Sequence, residues 1–121
     1  DFLTETHIAT LRKQIQDVYM PQLPLWVAIN ETNVMQGFIA CLERRIEMLF
    51  VSPQSRGSGI GKFLTNYAIT ELSANEVDVN EQNPQALGFY LHMGFESIGR
   101  SEQDGEGNPF PLLHLRLRPH S

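Results

Sequence analysis

The sequence predicts a mixed α/β (α+β) fold built on a mostly antiparallel sheet, and three observations predict it. An alternating apolar run, Ile46–Val51, passes through the glycine-rich stretch Arg56–Gly61 into a helical pattern. Ahead of it, Leu25–Ile29 and Val34–Leu42 are joined by Asn30-Glu31-Thr32-Asn33, so three consecutive strands form an antiparallel meander. Behind it, Phe95–Ser101 and Phe110–Leu117 flank the polar turn EQDGEGN and read as a hairpin.

A chain of 121 residues makes one domain with room for a real core. Apolar content of 41% and charged content of 19% describe a globular chain and exclude a disordered one. The net charge of -5, without a basic block, argues against a nucleic-acid partner. A single cysteine forms no internal disulfide, and no metal-ligand spacing accompanies it. No run approaches the length of a membrane span and no secretory leader pattern is present, so no membrane partner and a cytoplasmic location are expected.

In chain order, Ile8, Leu11, Ile15, Val18 and Tyr19 share a helical stripe, which predicts a helix over residues 1–20. Thr4 or Thr6 caps it, Pro21 and Pro24 end it in an extended linker, and His7 is a solvated helix residue. The first residues already carry this pattern, so a preceding segment is expected to be missing. In the returning strand Gly37 marks a bulge, and Cys41 reads as buried packing more readily than as a nucleophile. Glu43-Arg44-Arg45 then turns the chain into the central strand, where Ile46, Met48 and Phe50 share one face and Glu47, Leu49 and Val51 the other. That strand is expected to be buried and to stop at Ser52-Pro53.

Ile60, Phe63, Leu64, Tyr67, Ala68 and Leu72 form the apolar stripe of the next helix. Glu76–Asn80 is a short strand. Asn83 caps a second helix, Pro84 occupies its first position, Gly94 ends it, and Ala86, Phe89, Tyr90 and Met93 make its apolar face. In the last strand His114 shares a face with Leu112 and Arg116 and reads as a hydrogen-bonded structural residue. His92 and His120 rate lower still as functional residues.

Alternating glycines just before a helix let backbone N–H groups converge, and the helix N-terminus adds about half a positive charge. Arg56-Gly57-Ser58-Gly59-Ile60-Gly61 therefore reads as an anion site suited to phosphate or pyrophosphate, with a plain tight strand-to-helix connection as the alternative. A Walker loop fails, because Arg56 stands where its first Gly belongs and Phe63 where its hydroxyl belongs. A dinucleotide fingerprint fails because Lys62 replaces its third Gly.

Arg56-x-x-Gly59-x-Gly61 resembles the coenzyme A pyrophosphate loop of the GNAT N-acetyltransferase superfamily. Asn83-x-x-Ala86-x-x-Phe89-Tyr90-x-x-x-Gly94-Phe95 resembles its second signature, in the right order and at the expected distance. Further stretches, 79–83, Ser101-Glu102-x-Asp104 and Pro109-x-Pro111-Leu112-Leu113, are similar to the small bacterial YjaB-type members. The resemblance implies a twisted sheet with helices on both faces and splayed central strands, within a single acetyltransferase domain over 1–121 that lacks its usual opening strand and helix. It implies acetyl-CoA as cosubstrate and a primary amine as acceptor, a protein lysine or a small amine, with no metal. Members often pair through their C-terminal strands, which makes a homodimer an expectation.

Residue by residue, the resemblance implies that backbone N–H groups of Arg56, Gly57, Ser58, Gly59, Ile60 and Gly61 hold the pyrophosphate. Peptide groups of Leu49, Phe50 and Val51 would pair with the pantetheine arm as with another strand. Asn83 would hydrogen-bond that arm or order a water, and equally fits a plain helix cap; Asn80 carries less weight. Glu47, the carboxylate set among apolar residues, is the candidate base, and pairing with Arg44 or Arg45 at the surface is the alternative. Tyr90 would donate its proton to the leaving thiolate, and a backbone N–H near Leu49 would meet the oxyanion. Direct attack in a ternary complex is expected rather than a route through Cys41. A non-catalytic acyl-CoA-binding module and a ligand-free interaction domain remain the other classes.

Overall fold

The computed structural model describes residues 7–13, 23–104 and 107–119. The chain divides into two compact units, Asp1–Ala74 and Asn75–Ser121. The first contains strands β1 (His7–Lys13), β2 (Leu23–Ile29), β3 (Met35–Leu42) and β4 (Arg45–Val51), a one-turn 3-10 helix at Pro53–Ser55, and helix α1 (Ile60–Glu71). The second contains β5 (Glu76–Asn80), α2 (Pro84–His92), β6 (Phe95–Ser101) and β7 (Leu112–Leu117).

In the first unit β1 to β4 pair in sequence order, each antiparallel to the last. The meander forms because its turns are locally specified. Asn30 Oδ1 accepts from the backbone N–H groups of Thr32 at 2.9 Å and Val34 at 3.0 Å, and Asn33 adopts φ 64°. Asx side chains stabilise such turns by mimicking a backbone acceptor. Glu43, at φ 58°, closes the tighter β3–β4 turn.

Several expectations fail here, in two places. The helix predicted over residues 1–20 is replaced by β1 across His7–Lys13; the remainder of that stretch, with Thr4 and Thr6, lies outside the described residues. β1 follows β2 residue for residue, from His7 opposite Ile29 to Lys13 opposite Leu23. Pairing an otherwise open sheet edge outweighs the weak helical periodicity of a short segment that includes β-branched Ile8 and Thr10. Pro24, expected in a linker, lies in β2 opposite Arg12 and beyond the stretch that pairs with β3, where its missing N–H is tolerated.

The second failure concerns β4. Ala40 pairs with Met48 but Cys41 pairs with Ile46, which leaves Glu47 as the extra residue of a bulge. Ile46 therefore joins Leu49 and Val51 on the face of Gly37, Ile39 and Cys41, while Met48 and Phe50 share the opposite face with Phe38 and Ala40. That opposite face is incompletely covered, with Met48 46% and Phe50 37% exposed. The bulge expected at Gly37 sits at Gln36, since Ala28 pairs with Gly37 and Ile29 with Met35.

Gly37 has a different task. A Cβ there would lie 2.5 Å from the Phe50 carbonyl oxygen and 3.2 Å from both Ile60 and Leu64. Helix α1 seats its buried stripe, Ile60, Leu64, Thr65 and Ala68, beneath the meander by using that gap. Burying a side chain such as Ile60 or Leu64 contributes on the order of 1.5–3 kcal/mol. The helix ends where Leu72 and Ala74 both donate to the Ala68 carbonyl, with Ser73 at φ 57°.

In the second unit β7 lies between β5 and β6, antiparallel to both. Val77, Val79, Phe95 and Leu115 are buried with Tyr90 of α2. Asn83 caps α2 through a 3.1 Å bond from the Ala86 N–H, Pro84 follows, and Gly94 closes it at φ 104°, as the sequence predicts.

The close approach at Gly37 generates a prediction. Gly37→Ala forces backbone and side chains apart and should destabilise the protein by about 1–3 kcal/mol, the usual cost of overpacking. A urea titration should show the transition midpoint fall with little change in slope; an unchanged midpoint refutes the tight packing.

Candidate active site

The glycine loop hangs between the end of β4 and the start of α1. Ser52 N–H donates to the Gln36 carbonyl at 2.9 Å, which ties the strand exit to β3. Within the loop, Arg56 N–H reaches the Pro53 carbonyl at 3.5 Å and Ser58 N–H the Ser55 carbonyl at 3.2 Å. The Ser58 hydroxyl also donates to the Ser55 carbonyl. The N–H groups of Gly57, Gly59, Ile60 and Gly61 have no backbone acceptor among the described residues. Gly57 and Gly59 take φ values of 80° and 88°, a left-handed conformation that glycine adopts without Cβ strain. Gly59 is the N-cap of α1, so these N–H groups gather at the positive end of the helix. A Cβ on Gly57 would meet nothing within 4 Å, so this side of the loop is open. The loop fits a phosphate-bearing ligand through main-chain donors.

A cleft of about 550 Å³ continues from the loop along α1, lined by Gly59, Lys62, Phe63, Asn66, Tyr67, Thr70 and Glu71. The sequence alone marks Phe63 and Tyr67 only as apolar-stripe residues and gives Lys62 no part. Lys62 and Phe63 lie three and four residues after Gly59, and Tyr67 four after Phe63, the spacing that places them on one helical face.

The bulge sets Glu47 outside the regular ladder, and its carboxylate accepts from Arg45 Nε at 2.9 Å. With its side chain 22% exposed, Glu47 is partly shielded and carries the surface pairing that was its alternative reading. Leu49 and Val51 are half-buried, and Phe50 stacks on Phe38 with ring centroids 5.4 Å apart. Cys41 is 4% exposed, and its thiol is pushed up to about 11, first by burial and then by the Glu47 charge. A thiol so held is neutral and a poor nucleophile at neutral pH.

In the second unit Tyr90 is 7% exposed, edge-on to Phe89 at 5.1 Å and to Phe95 at 5.7 Å. Asn83 is engaged as a cap, and Asn80 Oδ1 accepts from Gln82 N–H at 2.7 Å. Bidentate hydrogen bonds from Arg100 hold the Glu81 carboxyl below its usual range and fasten β6 to the turn after β5. His114 is hydrogen-bonded on both ring nitrogens, to Ser101 and to Asp78. His92 is exposed, and His120 lies outside the described residues. Among the described residues no group of three or more His, Cys, Asp or Glu is placed to hold a metal ion, and no helix is long and apolar enough to cross a membrane.

Comparison with known proteins gives the family of the chain. Residues 2–116 match the family described as acetyltransferase (GNAT) domain. The chain is 44% identical over 115 residues to the peptidyl-lysine N-acetyltransferase YjaB of Salmonella typhimurium, covering 95% of this chain and 79% of that protein. It is 41% identical over 118 residues to YjaB of Escherichia coli, covering 95% and 78%. The solution structure of apo-form YjaB from Escherichia coli superposes with a TM-score of 0.72 at 42% identity, over 83% of this chain and 68% of that one. The spermidine/spermine N-acetyltransferase SpeG from Vibrio cholerae, crystallised with manganese ions, gives a TM-score of 0.68 at 15% identity, over 95% and 93%, a likeness of fold.

The state of Cys41 yields a test with a definite sign. Unfolded, the thiol ionises near 9.0, whereas folded it stays protonated to about 11. Between those values the unfolded chain binds fewer protons, so this group's contribution to stability falls as pH rises. Denaturation midpoints measured from pH 8 to 11 should decline less steeply for Cys41→Ala than for the unaltered protein. Equal slopes would contradict the burial.

Proposed function

The chain belongs to the GNAT acetyltransferase family and is an acyl-CoA-dependent N-acetyltransferase; on that premise we propose that it acetylates lysine side chains of proteins. One observation carries the placement of the cosubstrate: Gly57, Gly59, Ile60 and Gly61 offer N–H groups that the described residues leave without backbone acceptors, at the start of a helix. These donors, with Arg56 and Ser58 framing them, take the pyrophosphate of acetyl-CoA. Lys62 adds a cation beside them, and the faces of Phe63 and Tyr67 suit the nucleotide end. The peptide groups of Leu49, Phe50 and Val51 receive the pantetheine arm. We take both units as one acetyltransferase domain, because the family match runs through each of them.

The acceptor amine sets the chemical problem. A lysine ammonium with a pKa near 10.4 must lose a proton, which costs on the order of 4.6 kcal/mol at pH 7. Glu47, directly or through a water, takes that proton as the amine attacks; Arg45 holds the carboxylate in place. A backbone N–H near Leu49 stabilises the oxyanion. Tyr90 donates to the departing thiolate, its ring kept in one orientation by Phe89 and Phe95. Asn83 acts through the cap that starts α2. The neutral, buried Cys41 supports direct transfer in a ternary complex. Acetyl-CoA supplies an activated thioester. A lysine acceptor is preferred to a small amine because the relatives at 44% and 41% identity carry the peptidyl-lysine name.

A thiol-release assay with acetyl-CoA and a panel of lysine peptides, polyamines and amino acids tests the reading. Lysine peptides should turn over fastest. Tyr90→Phe should lower kcat by about 10²–10⁴-fold, the span of general acid catalysis, with acetyl-CoA affinity unchanged by calorimetry. Glu47→Gln should remove the acidic limb of the pH–rate dependence, because a carboxylate base works only after losing its own proton. Gly59→Val should instead abolish cosubstrate binding, and with it the stabilisation of about 2.7 kcal/mol expected at 100 times Kd. Tight acetyl-CoA binding without turnover of any amine would favour the regulatory module.

A further inference from the structure

A second cluster of reactive side chains lies wholly within the C-terminal unit. Asp78 on β5 stands opposite His114 on β7, and His114 stands opposite Gly99 on β6, two residues before Ser101. His114 Nδ1 is 2.7 Å from Asp78 Oδ1, and His114 Nε2 is 2.6 Å from Ser101 Oγ. A carboxylate oxygen only accepts, so Nδ1 carries the hydrogen and Nε2 is left to accept from the serine hydroxyl. That is the tautomer a serine nucleophile requires. Gly99 leaves room beside the ring, since a Cβ there would meet His114 Cδ2 at 3.7 Å, an ordinary contact. The imidazole is 34% and the Asp78 side chain 30% exposed, so the cluster is within reach of solutes.

Two further features point the same way. A recess of about 500 Å³ opens at Ser101, lined by Glu102, Gln103 and Asp104. The backbone N–H groups of Glu102 and Gln103 have no backbone acceptor among the described residues, and the N–H following a nucleophilic serine is a recurrent oxyanion donor. At the recess Asp104 accepts from Asn108 N–H and Nδ2, and Glu102 stands 3.9 Å from Arg100 Nη1; two carboxylates against one guanidinium still favour a substrate with positive charge.

We propose that Ser101, His114 and Asp78 form a serine-nucleophile centre that hydrolyses small esters of cationic alcohols. Ser101 Oγ bonds to the ester carbonyl carbon as its proton passes to His114 Nε2. The bond from that carbon to the alcohol oxygen then breaks, and Nε2 returns the proton to the leaving oxygen. Water repeats the sequence on the acyl-serine, releasing the acid and restoring the hydroxyl. Asp78 is a positioning residue that holds the imidazole. The proposal is independent of the acetyl-CoA reading.

The test uses the full chain with a fluorophosphonate probe and two alkyl acetates of comparable leaving group, acetylcholine and the anionic 4-acetoxybutanoate. Mass spectrometry should find the probe on Ser101, with labelling reduced by about 10²-fold or more in Ser101→Ala and His114→Gln. Acetylcholine should be hydrolysed faster than the anionic ester. Asp78→Asn should slow labelling and change its pH dependence, which a merely structural role would not do. Ser101→Ala should retain the unaltered protein's melting temperature and thiol-release rate, confirming its fold. Absence of label on Ser101, or labelling unchanged in His114→Gln, overturns the proposal; equal or reversed ester preference overturns its substrate class.

Discussion

The first unit depends on how closely α1 can approach the main chain of β3 and β4. Gly37 sets that distance: with no side chain of its own, it lets Ile60 and Leu64 rest against the backbone. Because both residues lie in the first turns of α1, the contact fixes the start of the helix rather than its far end. The position of the helix start in turn fixes where its unpaired N–H groups are presented. A packing constraint in the core thereby becomes a constraint on how the loop presents its main-chain donors.

The bulge in β4 does similar work on the other side of that loop. One extra residue, Glu47, reverses the facing of Ile46 relative to Met48. It removes a carboxylate from the ladder, brings it to Arg45, and adds its charge to the burial that keeps the Cys41 thiol protonated. Three sequence features that look separate, an acidic residue in an apolar strand, a lone cysteine and a neighbouring arginine, are one electrostatic arrangement. The arginine compensates the acid, and the acid together with burial silences the thiol.

Much of this was legible in the sequence where a residue has one physical reason to be where it is. Asn83, Pro84 and Gly94 delimit α2 because capping, a fixed φ and a positive φ leave little choice. The strand–loop–α1 passage was equally readable, since its apolar period changes from two to that of a helix. The N-terminal stretch was misread because its stripe is compatible with a helix while its partner, the open edge of β2, is invisible to periodicity. The faces of β4 were misassigned because alternation assumes an unbroken ladder, and a single-residue bulge leaves no mark in composition. Lys62 and Asn66 were missed for another reason: polar residues on a helix read as solvated until a cleft is seen beside them. The Ser101–His114–Asp78 contact joins residues on three strands, and only the register brings them together.

The opposite face of the meander has a chemical consequence. Met35, 44% exposed, and Met48, 46% exposed, present thioethers to solvent, while the sulfur of Cys41 is enclosed. Peroxide reaching this unit meets the thioethers first and converts them to sulfoxides, a change that reductases reverse. The oxygen so added lands on the uncovered face, where polarity is tolerated. Such a change leaves the packed side on which α1 sits untouched.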